Sequence, residues 1–127
     1  MKKIINTPNA PAPIGPYNQA ILSGNTLYTS GQIAINPETN ELVLENITVE
    51  TTQVMRNLKA VLEAANMTFE HIVKTSIFIS NMDDFAKINE VYGSYFDEAI
   101  APARETVQVA RLPKNVNVEI SVIAIKE

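Results

Sequence analysis

Arg104 and Glu119 stand in the most apolar part of the chain, "APARETVQVARLPKNVNVEISVIAI" at residues 101–125, which reads as two β-strands. Side chains alternate along a strand, so Arg104, Thr106 and Gln108 share one side, while Glu105, Val107 and Val109 share the other. Glu105, although adjacent, therefore points away from Arg104 and does not neutralise it. A guanidinium buried without a partner is costly. Three partners are open: an internal carboxylate, Glu119 among them, a water, or the anion of a ligand. A ligand carboxylate is what a planar, two-pronged donor recognises best.

Other residues have types suited to a ligand site. Ser30 and Gly31, in "YTSGQIA", fall inside a predicted strand. Glycine there marks either close approach by a ligand or another backbone, or a plain β-bulge. Tyr17, after the Gly-Pro pair of "IGPYNQ", is either a stiffly held working hydroxyl or an ordinary half-buried tyrosine. Asn89, in "FAKINEVY", lies near the edge of a helical apolar stripe, placed either to donate to a ligand or to be solvated. His71 is the only histidine and has no acidic pair at metal-ligand spacing, so a strand-edge role is expected for it.

The elements that must position these residues follow from periodicity. Residues 7 to 16, "TPNAPAPIGP", hold four of the seven prolines and read as an ordered or extended loop. "NQAIL" and "TLYTSGQIA" flank "SGN" and predict a hairpin with a three-residue turn. "PETN" is a further turn, with Asn40 suited to a left-handed backbone. Val54, Leu58, Val61, Leu62 and Ala65 predict a helix over 48–66, with Thr48 as N-cap and Asn66 as a left-handed stop. "HIVKTSIFIS" predicts a strand with Val73, Thr75, Ile77 and Ile79 on one face. Phe85, Ile88, Val91, Tyr92, Tyr95 and Phe96 predict a second helix over about 84–97, capped by Asp83 or Asp84. The order is ββ, α, β, α, ββ, with a short strand near Ile4 and Ile5. Two amphipathic helices cover one face of one sheet. The last strand is apolar on both sides, so its second face is expected to be buried against identical subunits.

At 127 residues, one domain spanning 1–127 is expected. Net charge is −4 and the ten Lys and Arg residues are scattered, which argues against nucleic acid as the main partner. No cysteine is present, so thiolate catalysis and Cys-based metal sites are excluded. No apolar run is long enough for a signal peptide or a membrane span, and a soluble, cytoplasmic protein is expected.

Taken together, "NAPAPIGPYNQA", "YTSGQIAINPET", "NLKAVLEAA", "VKTSIFISNMDDFAKINEVYGSYF" and "PARETVQVARLPKNVNVEISVIA" resemble the Rid family of reactive-imine deaminases, also called the YjgF family, and within it the deaminase A subgroup. The likeness covers nearly the whole chain. It implies an α+β, chorismate-mutase-like fold, one mixed β-sheet with two helices on one face. It also implies a homotrimer whose three sheets form a central barrel, with clefts between neighbouring subunits. By that resemblance Arg104 binds the substrate carboxylate, Tyr17, Ser30, Gly31 and Asn89 line the site, Thr106 contacts ligand through its backbone, and Glu119 positions water, with Tyr17 assisting. No metal or organic cofactor is implied.

The chain departs from the family pattern at three places: Thr106 replaces a frequent cysteine, Glu105 a small residue, and Asn40 a glycine. The expected activity is 2-iminobutanoate/2-iminopropanoate deamination, giving 2-oxo acids and ammonia. This is a form of metabolite damage control linked to pyridoxal-phosphate-dependent dehydratases. Two other readings stand beside it: a regulatory protein sensing small 2-oxo acids in the same cleft, and a ribonuclease, which the acidic balance disfavours.

Overall fold

The computed structural model describes residues 1–127. Its strands are β1 (Lys2–Ile5), β2 (Ala20–Ser23), β3 (Thr26–Thr29), β4 (Ile72–Ile79), β5 (Ala103–Gln108) and β6 (Val118–Ile125). Its helices are α1 (Ile47–Ala64) and α2 (Phe85–Gly93). The strands form one sheet in the order β1-β2-β3-β6-β4-β5. Pairing is antiparallel except between β4 and β5, which run parallel because α2 carries the chain back across the sheet between them. The expected α+β architecture is what the chain adopts.

Strand β6 explains where the core lies. Val118, Ile120, Val122 and Ala124 are buried on one face, with the α1 residues Val54, Leu58, Val61 and Leu62 in the same core cluster. Each buried aliphatic side chain of this kind contributes about 1.5–3 kcal/mol. The alternate residues Glu119, Ser121 and Ile123 face the other way, alongside Phe78 and the exposed Tyr28 and Val107. No helix covers that side.

Several local expectations need correction. Asn46, not Thr48, caps α1: its Oδ1 accepts from the Val49 N–H at 2.9 Å, and the helix begins before Thr48 is reached. Asn46→Ala is expected to lower stability by about 1 kcal/mol, read as a shifted urea midpoint with unchanged slope. Asn66 does end that region in a left-handed conformation, φ 58°, and Asn40 adopts φ 61°. The β2–β3 hairpin has a two-residue turn, Gly24 and Asn25, with Gly24 at φ 61°.

Val73 does not share the face of Thr75, Ile77 and Ile79. A bulge between Ile72 and Lys74 turns it outward, 44% exposed, and puts Ile72 in the core. Helix α2 stops at Gly93. Tyr95 and Phe96 still pack, because Phe69 meets their rings at 5.0 and 5.6 Å between centroids. Before α2, Asn81 accepts from the Asp83 N–H at 2.9 Å, while Asp84 makes no capping bond.

Candidate functional site

The residues singled out by type fall into two groups, held on opposite faces of the sheet. The first group belongs to the edge strand β5 and to α2. Parallel register sets Arg104 beside Thr75, which is buried on the helix-covered face. The Arg104 guanidinium lies 5.2 Å from the Tyr92 ring centroid and 5.6 Å from that of Phe85. Its Nη1 donates to Asn89 Oδ1 at 2.6 Å.

Those aromatic faces and one amide fix the cation without neutralising it. Tyr92 is itself fixed, donating to Thr75 Oγ1 at 2.9 Å; burial raises its pKa, so it stays a neutral phenol. The only ion pair in the chain is Lys74–Glu105, at 2.7 Å, on the uncovered face. Arg104 is thus exposed and not buried, and it has no carboxylate mate. With Asn89, Tyr92, Phe96, Glu98 and Pro102 it lines a cavity of about 600 Å³. Thr106 follows on the same face of β5, and its hydroxyl is the one buried side-chain polar atom without a hydrogen-bond partner.

The second group gathers around Glu119. Strand β3 stops at Thr29, and the Ser30 N–H donates to Gln19 O at 2.9 Å. Pairing with β6 resumes only at Gln32, whose N–H donates to Ile120 O at 2.8 Å and whose carbonyl accepts from the Ile120 N–H at 3.1 Å. Ser30 and Gly31 therefore lie in a gap between ladders and not inside a strand. The need for glycine is steric: a Cβ on Gly31 would sit 2.5 Å from Glu119 Oε2. The close approach at Gly31 is made by a carboxylate side chain, and not by the ligand or second backbone expected from the sequence.

The Ser30 hydroxyl donates to Asn18 O at 2.5 Å. Tyr17 folds its ring over Gly15, and its hydroxyl accepts from the Ile14 N–H at 3.4 Å, which leaves the phenolic proton free to donate. Tyr17, Ser30, Gly31 and Glu119 share a cavity of about 470 Å³ with Pro113 and Lys114.

Burial raises the pKa of Glu119, and no cation of its own chain opposes that shift. Glu105 is different. It faces the uncovered side, where Lys74 first and Ser76 second hold its carboxyl below the ordinary range. It does not bring charge to the Arg104 cavity. His71 caps a short turn, its Nδ1 accepting from the Thr68 N–H at 2.9 Å, and lines neither cavity.

Two contributors escaped the sequence reading. Gln19 is buried. Its amide donates to the carbonyls of Thr7, Ala10 and Pro11 at 3.0, 3.2 and 2.9 Å, and its Oε1 accepts from the Thr7 N–H at 2.8 Å. It straps down the proline-rich loop that leads to Tyr17. Lys114 lines the Glu119 cavity from a left-handed backbone, φ 55°. Neither carries a sequence signal beyond a polar residue beside apolar ones.

The chain is thus an α+β protein, a mixed six-stranded sheet with two helices on one face, an uncommitted arginine at one edge and a half-buried carboxylate on the other side. The chain belongs to the Rid (YjgF) family: the family model described as Endoribonuclease L-PSP matches residues 7–126. It is 54% identical to a RutC family protein of Synechocystis, over 97% of this chain and 95% of that one. It is 51% identical to the 2-iminobutanoate/2-iminopropanoate deaminase of Dermatophagoides farinae, over 99% and 98%. Among solved structures it is similar to Escherichia coli TdcF with bound serine, with a TM-score of 0.92 and 44% identity over 98% of this chain and 99% of that one.

Proposed function

We propose that this protein is a 2-imino acid deaminase, hydrolysing 2-iminobutanoate and 2-iminopropanoate to 2-oxo acids and ammonia, and that it works as a homotrimer. The observation that carries this reading is the separation of the two half-sites. Arg104 and Asn89, with Thr106 following on the same face of β5, form a clasp whose cavity does not contain Glu119. Tyr17, Ser30, Gly31 and Glu119 form a water-handling cavity that does not contain Arg104. Apposing the cavity of one protomer to the clasp of the next completes a site between chains. Apolar side chains on the uncovered sheet face, Tyr28 and Val107 among them, supply contact surface for such an assembly. The mite relative's name and the amino acid bound to TdcF support a small 2-imino acid as substrate.

In this reading Arg104 holds the substrate carboxylate with the four N–H donors that Asn89 leaves free. The imine carbon is then presented to a water beside Glu119, and a bimolecular encounter becomes a positioned one. Glu119 takes a proton as the water oxygen bonds to the iminium carbon. The carbinolamine nitrogen gains a proton, the C–N bond breaks, ammonia leaves, and the hydroxyl loses its proton to give the 2-oxo acid. Tyr17 donates its free proton to align the water. Ser30 and the Gly31 backbone shape the wall. A base whose pKa is raised toward neutrality takes a proton more readily than an ordinary carboxylate.

The test is complementation. Arg104→Ala and Glu119→Gln proteins, each inactive alone, are unfolded together, refolded and assayed for 2-oxo acid formation. Random trimers regain about a quarter of wild-type activity, since a mixed trimer rebuilds one site of three. A mixture as inactive as its parents overturns the shared site.

The direction of the Glu119 shift gives a second expectation. A carboxyl whose folded pKa is raised costs nothing below the ordinary value, where both states are protonated. It costs most above the raised value. Glu119→Gln is therefore expected to melt higher than wild type at neutral pH, with the difference vanishing below the ordinary carboxylate pKa. Scanning calorimetry at both ends of that range checks it.

A further inference from the structure

Glu50, on the first turn of α1, is fully buried, and no cation pairs with it. Such a carboxylate survives only where donors replace its lost water. Here three do. Oε2 accepts from the backbone N–H groups of Asn117 and Val118, at 2.8 and 3.2 Å, and Oε1 accepts from Asn117 Nδ2 at 2.7 Å. These donors immediately precede Glu119. On the other side of Glu119, Ile120 is tied to Gln32 by the paired bonds already described. The backbone of Glu119 is thus pinned on both flanks, once by the isolated bridge to Gln32 and once by a helix on the opposite face of the sheet.

The approach to this point is strained. Lys114 and Asn115 have φ of 55° and 57°, successive left-handed residues that are not glycine. Such conformations persist only where the surroundings enforce them. The Val116 N–H closes the turn on Pro113 O at 3.2 Å, and the next residue is held by Glu50. Pro113 and Lys114 also line the Glu119 cavity. One buried carboxylate therefore sits where it restrains both the cavity wall and the base within it.

We propose that Glu50 is a positioning residue, which holds Glu119 and the Pro113–Lys114 wall in working geometry through the backbone of Asn117 and Val118. The inference rests on the imine-hydrolase reading for its kinetic effect. It does not rest on it for its structural one, which the carboxyl titration of Glu119 reports directly. The other titratable groups lining that cavity are Tyr17 and Lys114.

The experiment compares Glu50→Leu, Glu50→Asp and Glu50→Gln with wild type. Leucine fills the space but accepts nothing. Aspartate keeps the charge one methylene short. Glutamine keeps one acceptor for the backbone N–H groups, and its amide bonds Asn117 once that side chain turns over. The expected result for Glu50→Leu is a fall of about tenfold in kcat, with KM nearly unchanged because Glu50 shares no hydrogen-bond partner with Arg104. The Glu119 carboxyl, followed by carbon-13 NMR, moves back toward the ordinary carboxylate range as water enters. Glu50→Asp gives the same changes in weaker form, and decides the matter if the leucine variant fails to fold. Glu50→Gln recovers most of the loss in both readouts.

A folded leucine or aspartate variant with wild-type kcat and an unshifted Glu119 titration overturns the proposal. So does loss of melting temperature alone. If wild type itself fails to accelerate imine loss, the enzymatic reading fails, while the Glu119 titration still judges Glu50 on its own.

Discussion

On the deaminase reading, Arg104→Ala protein is expected to leave 2-imino acid loss at its uncatalysed rate in a coupled assay, where a pyridoxal-phosphate-dependent dehydratase generates the imine and 2-oxo acid formation is followed. A carboxylate at about 4 Å from a cation gains roughly 4 kcal/mol at an effective dielectric near 20, before desolvation. Losing it costs about three powers of ten, at 1.36 kcal/mol for each. Nothing in the same chain replaces the charge, since Arg104 is the only cation lining its cavity. The fold should survive, because the side chain is exposed and Asn89 can turn to water. Arg104→Lys retains charge but loses the planar fork and its stacking on Tyr92 and Phe85, so partial binding with a raised KM is expected. Wild-type kinetics in Arg104→Ala would remove the clasp from the mechanism altogether.

Gly31→Ala is the second large effect. The added methyl would meet Glu119 Oε2 at 2.5 Å, Cδ at 2.7 Å and Cγ at 2.9 Å. No real Cβ tolerates such contacts, so Glu119 must move. It is the end of a flexible side chain, and moving it disturbs geometry more than folding. Displacement of a base by about 1 Å can cost 10²-fold in turnover. Overpacking of this kind lowers stability by about 1–3 kcal/mol. The expected signature is a kcat loss of about 10²-fold with carboxylate binding retained, measured by titrating a 2-oxo acid against the variant. A variant that keeps wild-type turnover would show that the position of Glu119 is unimportant.

Much of this architecture was legible from periodicity. The α1 stripe of Val54, Leu58, Val61 and Leu62 and the alternation of β6 are direct consequences of helix and strand geometry, and both occupy the core. Asn40 and Asn66 were readable because asparagine tolerates a left-handed backbone. The opposing directions of Arg104 and Glu105 followed from alternation alone.

What stayed hidden depends on tertiary register. The bulge at Val73 has no local signal, since valine suits either face of a strand. The pairing of Lys74 with Glu105 requires β4 and β5 to lie parallel in one register, which no window of sequence encodes. The α2 stripe continues past Gly93 because Tyr95 and Phe96 are apolar, yet their packing on Phe69 uses turn geometry. The N-cap at Asn46 competed with Thr48, both good caps, and only the Val49 N–H decides between them. The opposite placement of Arg104 and Glu119 was likewise invisible. It needs the face of β5 and the face of β6 to be known together.

That placement makes the sheet a partition. On the proposed mechanism, a chain folded alone has its clasp on one side of the wall and its base on the other. On the deaminase reading, scarce chains would be well folded yet idle, and output would climb faster than copy number until encounters between copies saturate. The threshold would be set by how tightly the chains associate, and it would need neither a signal nor a modification.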